Sequence, residues 1–165
     1  MNAPTLFDPE RPAATTAAGP RPAPFVIELP AGLRLLNSNR ALHYKDRMKL
    51  VGKLRRAARD AVSDCPALMD ALAAAAPGPL FQRVHVLGVV HPRDDGRRDP
   101  ANWYPSFKAC IDGLVDAGLL EDDDHTRLLG PDMRLGEKRR GGQIVLVVRG
   151  LAPDEDPLGY QAVAR

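Results

Sequence analysis

The apolar pattern of this chain changes period several times, and that alternation constrains the fold more than any other feature. Residues 25–29, Phe-Val-Ile-Glu-Leu, make a β-prone run closed by Pro30. Over 44–62 the apolar residues Leu50, Val51, Leu54, Ala57, Ala58, Ala61 and Val62 recur at helical spacing. An alanine-rich stretch at 67–76 predicts a short second helix, ended by Pro77-Gly78-Pro79. Residues 81–90 alternate and then run apolar, as a largely buried strand does. A third helix is predicted over 105–117. Pro105 suits its first turn, Gly118 its C-terminal cap, and Phe107, Cys110, Ile111 and Leu114 its buried stripe. Residues 143–148 read as a last strand, and the stretch before it, from the acidic turn to Gly142, as basic and turn-rich. Strands and helices mix without a strict βαβ repeat, which predicts an α+β fold with a small mixed sheet packed with helices.

A chain of 165 residues suits a single domain. Hydrophobic residues make up 44% of it and aromatics only 5%, so the core must be built from Val, Leu, Ile and Ala. Six of the 16 prolines lie in the first 24 residues, beside an Ala/Thr run. Such a segment has too little to bury to offset its ordering entropy, so 1–23 is expected to be a disordered tail. A flexible tail is expected over 152–165, leaving 24–151 as the folded unit. No apolar run approaches the roughly 18 residues of a membrane span. The first residues, MNAPTLFDPE, have neither the basic nor the apolar region of a secretory signal, so a cytoplasmic protein is expected. Cys65 and Cys110 stand apart and form no CxxC or Cys/His group, which argues against a disulfide scaffold or a structural zinc. No P-loop is present, and no nucleotide cofactor is expected.

Net charge is only +2, but its distribution is uneven. Eight of the 23 Lys and Arg fall within 40–59, and Lys45, Lys49, Lys53 and Arg56 are spaced to line one helix face. That face is either a solvated exterior or a phosphate-contacting stripe. Acidic residues gather elsewhere, with Asp94, Asp95 and Asp99 before the third helix and Asp122, Asp123 and Asp124 after it. Two acidic loops bracketing one short helix could converge on a hard cation such as Mg²⁺, or could be plain turns. Trp103 and Tyr104 either stack on a splayed base or cover the helix start.

Arg98-Asp99-Pro100-Ala101-Asn102, then Lys108, then Asp112-Gly113-Leu114, then Gly118 followed by Asp122-Asp123, resembles the RusA family of Holliday junction resolvases. That family's core reads approximately R-D-x-D-N, a lysine, D-x-L, and a glycine followed by a D-D pair. The resemblance spans about 97–129 and extends weakly over the first strand, the Asn37/Asn39 loop, the basic helix and the last strand. It implies a small homodimeric endodeoxyribonuclease that resolves four-way DNA junctions in recombination and repair and depends on Mg²⁺, with Mn²⁺ a possible substitute.

By the same resemblance Asp99 and Asp123 are the metal aspartates; Asp122, or in its place Asp124 or Asp95, could supply a third ligand. Lys108 joins Asp99 and Asp123 as a catalytic residue, and Asn102 and Asp112 occupy supporting positions. Lys45, Lys49, Lys53, Arg56 and Arg98 form the DNA-binding set. Ala101 stands where the family has a second aspartate, and the spacing from Asn102 to Lys108 is longer than the family's. A relative that binds junctions without cutting them is therefore the alternative expectation.

Overall fold

A computed structural model describes residues 23–157. The proline-rich segment 1–22 and the residues 158–165 lie outside the described residues. The elements are β1 (Phe25–Glu28), α1 (Tyr44–Ser63), α2 (Pro66–Ala75), β2 (Val84–His91), a 3₁₀ turn (Pro100–Trp103), α3 (Tyr104–Asp116), β3 (Leu128–Leu135) and β4 (Gln143–Gly150). They form an α+β protein with one four-stranded mixed sheet, in the order β1-β4-β2-β3. Strand β4 is antiparallel to both β1 and β2, and β3 runs parallel to β2.

Alternation decides which face of the sheet meets the helices. Val84, Val86 and Val90 of β2 are buried, as are Ile144, Leu146 and Val148 of β4. The register sets Val86 against Val148 and Val90 against Ile144, so these side chains share one face. Helix α3 covers that face. Seven of its 13 residues are buried, as expected for a helix wedged between a sheet and another helix. Phe107 sits over Gly88 of β2, where a Cβ would stand 2.6 Å from Phe107 Cδ1. On its other side α3 meets α1 at Gly113, whose missing Cβ lets it approach Ala58 and the Arg55 backbone. Tyr104, Lys108, Asp112 and Asp116 recur at i,i+4 spacing along the stripe of α3 left unburied.

The stretch expected as turn-rich up to Gly142 instead contains β3. This strand pairs on one side only and carries a register shift opposite His85 and Leu87, with Gly130-Pro131 as its extra length. Proline and glycine are tolerated at such an edge bulge, yet in the sequence they read as turn punctuation. Residues 152–157, expected within the flexible tail, are held to the domain. Arg83 donates to the carbonyls of Ala152 (3.1 Å), Pro153 (3.0 Å) and Glu155 (2.7 Å), and Arg149 pairs with Glu155 at 2.5 Å.

Candidate functional site

The clearest convergence of charged groups lies on the unburied stripe of α3. Lys108 Nζ donates to Asp112 Oδ1 at 2.6 Å and also to Asp123 Oδ2. The first contact follows from helical spacing. The second needs the chain to reverse after α3. Leu119 and Leu120 are buried there, and the carbonyls of Gly118 and Leu119 accept from Leu80 N–H (3.0 Å) and Phe81 N–H (2.9 Å). The acidic run is thereby turned back toward the middle of the helix. Partial burial alone would lower the pKa of Lys108, but the hydrogen bonds to Asp112 and Asp123 outweigh it and hold the ammonium above its ordinary value. The group is a fixed cation at neutral pH.

The three aspartates of the run differ in their surroundings. Asp122 accepts the Asp123 N–H at 2.7 Å, closing a local turn. Asp124 accepts from the Thr126 N–H, also at 2.7 Å, and from its hydroxyl. Those hydrogen bonds, with help from Arg127 and His125, hold the Asp124 carboxyl below the usual carboxylate range. Only Asp123 turns toward α3.

Asp99 caps the 3₁₀ turn that leads into α3. Its carboxylate accepts the Ala101 N–H at 3.0 Å, and Pro100 occupies the first turn position. Asn102 lies in the same turn, where its carbonyl accepts from the Ser38 N–H at 2.8 Å. Buried Ser106 accepts from the Leu36 N–H (2.7 Å) and donates to the Leu36 carbonyl (2.8 Å). The Asn37–Asn39 loop is thus fastened to the start of α3. Trp103 is half-buried against the core and Tyr104 is exposed. Cys110 is fully buried, and burial pushes its thiol up to about 12.

The cationic candidates divide. Lys45, Lys49, Lys53 and Arg56 are all exposed along α1, with no acidic partner among the described residues. Arg98 is folded into its own loop, donating to the Asp94 carbonyl at 2.7 Å and pairing with the Asp94 carboxylate. It lines one cleft with Arg93 of its own loop and with Arg34 and Arg40 of the β1–α1 connection, and the latter two lie too far away in the sequence for local pattern to group them with it. The ion pair of Arg55 with Asp116 ties α1 to α3 (2.6 Å for Nη2 to Oδ1). Also unforeseen is the contact of His85 Nε2 with Asp132 Oδ2 at 2.6 Å, which depends on β3.

Among the described residues no three His, Cys, Asp or Glu side chains are grouped to hold a metal ion. Mg²⁺, however, is commonly held by one or two carboxylates, waters and the substrate's own phosphates. Asp99 and Asp123 supply hard oxygen donors of the right kind, each with one carboxylate oxygen outside the hydrogen bonds described above. The donor chemistry fits such an ion. Comparison with known proteins adds no family: no protein-family model matches the chain, and a search of the curated proteins finds no significant match.

Proposed function

We propose that this chain is a RusA-like, Mg²⁺-dependent endodeoxyribonuclease that acts as a homodimer on four-way DNA junctions in recombination and repair. What supports the reading is the convergence of Lys108, Asp112 and Asp123, three motif residues drawn from two segments of chain. Asp99 and Asp123 would hold the metal, and Asp122 would join them only if its turn with the Asp123 N–H opened. When bound, the ion supplies Lewis acidity that activates water and neutralises phosphate charge. Lys108 is a preorganised cation whose ammonium can face charge developing on the phosphate. Asp112 positions Lys108, and Asp99 also sets the turn from which α3 starts. The exposed basic face of α1 attracts the DNA backbone. A two-fold dimer suits the two symmetric strands of a junction.

A second reading has its own observation. Asp112 and Asp123 are both engaged by one lysine, and Ala101 offers no carboxylate, as suits a junction-binding protein that does not cut.

The test is cleavage of synthetic four-way junctions in Mg²⁺ or Mn²⁺, with linear duplex as control. On the nuclease reading the wild type cuts junctions, and Asp123→Asn abolishes cutting while junction binding is kept or strengthened. The gain in binding comes from removing a negative charge near phosphate. Ala101→Asp should raise activity or lower the Mg²⁺ concentration required. Tight binding without cutting in either metal decides for the binding protein, and undiminished cutting by Asp123→Asn removes Asp123 from the site.

A further inference from the structure

A cleft of 410 Å³ opens beside the start of α3, within the size range of small-ligand sites. Three loops build it. The β1–α1 connection supplies Arg34 and Arg40, the β2–α3 connection Arg93 and Arg98, and the β3–β4 turn Gly141 and Gly142. Backbone hydrogen bonds hold the loops together, with Gly32 N–H donating to the Gly142 carbonyl and Arg139 N–H to the Pro92 carbonyl, both at 2.9 Å. Gly141 and Gly142 have φ of 82° and 73°, a region that L side chains rarely adopt, so this wall stays free of side chains.

The charge lining the cleft is one-sided. Four arginines face one carboxylate, Asp94, and that carboxylate is already paired with Arg93 (3.3 Å) and Arg98. Arg34 and Arg40 are exposed and have no acidic partner among the described residues. Two unpaired guanidiniums at the mouth of a cleft are suited to phosphate, which they can grip with paired donors. Trp103 lines the same cleft and offers an aromatic surface to a base.

We propose that this cleft holds one unpaired nucleotide of a DNA strand, its phosphate on Arg34 and Arg40 and its base against Trp103. The inference rests on the DNA-processing reading above. An undistorted four-way junction is fully paired, so the subsite would take a nucleotide only where pairing at the crossover opens, at an unpairing cost of about a few kcal/mol.

Trp103 is the single tryptophan of the chain, so it reports on its own site. The full chain is titrated with a four-nucleotide oligothymidylate, with thymidine monophosphate and with inorganic phosphate. The oligonucleotide and the mononucleotide should change Trp103 emission saturably, and inorganic phosphate should compete without producing that change. By anisotropy of a labelled oligonucleotide, Trp103→Ala should weaken affinity about 5- to 150-fold, the range set by one base–aromatic stack. Because Trp103 also touches the core, Arg34→Ala/Arg40→Ala provides the second variant, altering only exposed side chains. It should lower the salt slope of single-strand binding by about 0.7 for each phosphate that is no longer neutralised.

An unchanged emission at saturating oligonucleotide refutes the subsite, as does an unchanged salt slope in the double variant. If junctions are nevertheless cut, the subsite alone fails. If emission responds to the oligonucleotide but junctions are never cut, the subsite stands and the nuclease reading falls.

Discussion

Gly52 and Gly113 should respond in opposite directions to the same added methyl group. Both lie inside helices, Gly52 in α1 and Gly113 in α3. At Gly113 an added Cβ would stand 3.0 Å from Ala58 Cβ and 3.1 Å from the Arg55 carbonyl carbon, and closer still to that carbonyl's oxygen. Comfortable separations are about 3.5–4.0 Å, so α1 and α3 must part by at least roughly 0.5 Å. The obstruction is helix backbone and cannot rotate away. Overpacking of this kind costs up to about 3 kcal/mol. Replacing helical glycine by alanine returns about 1 kcal/mol in propensity, so Gly113→Ala should lose about 2 kcal/mol net. For a domain of this size that lowers Tm by roughly 8 °C. Gly52 has nothing within 4 Å of its virtual Cβ, so Gly52→Ala keeps the propensity gain. It should raise Tm by roughly 4 °C. Thermal and urea unfolding followed by circular dichroism measure both. A stabilising Gly113→Ala, or two shifts of the same sign, would refute the close α1–α3 approach that sets the position of Lys108 and Asp112.

Three further outcomes follow from particular groups. In the folded protein a thiol reagent should modify Cys65, which is partly exposed, while Cys110 reacts only after denaturation; equal rates would contradict the burial of α3. Hydrogen bonding to Arg55 holds the Asp116 carboxyl below its ordinary value, so its stabilising contribution is present above about pH 4 and fades as pH falls through the lowered folded value. The stability difference between wild type and Asp116→Asn, from urea unfolding, should therefore be largest near neutrality and shrink in acid, and a constant difference would deny the ion pair. Changing Lys45, Lys49 and Lys53 together to Ala should weaken binding to all DNA shapes alike, lowering the duplex salt slope by about 0.9 for each phosphate left without its lysine; an unchanged slope would make α1 a solvated face.

Much of the fold was legible in the sequence, because a helix or strand that buries one face must carry the matching period. The apolar run at 44–62 lies within α1, the alternation at 81–90 overlaps β2, and the stripe of Phe107, Cys110, Ile111 and Leu114 is buried in α3. The pairing of Lys108 with Asp112 was equally readable, since four residues make about one helical turn. Strand β3 was not, because an edge strand with a bulge pairs on one side and needs no clean alternation. Nor did local pattern indicate that Asp123 reaches Lys108 across 15 residues, or that Arg98 turns inward to Asp94. The cleft is the extreme case. Its arginines stand at 34, 40, 93 and 98, and only the pairing of β1, β2 and β4 brings their loops to one place. Periodicity belongs to a single element and is written in the order of its residues. Which elements become neighbours depends on burying their apolar faces together, and that is decided only when the whole chain packs.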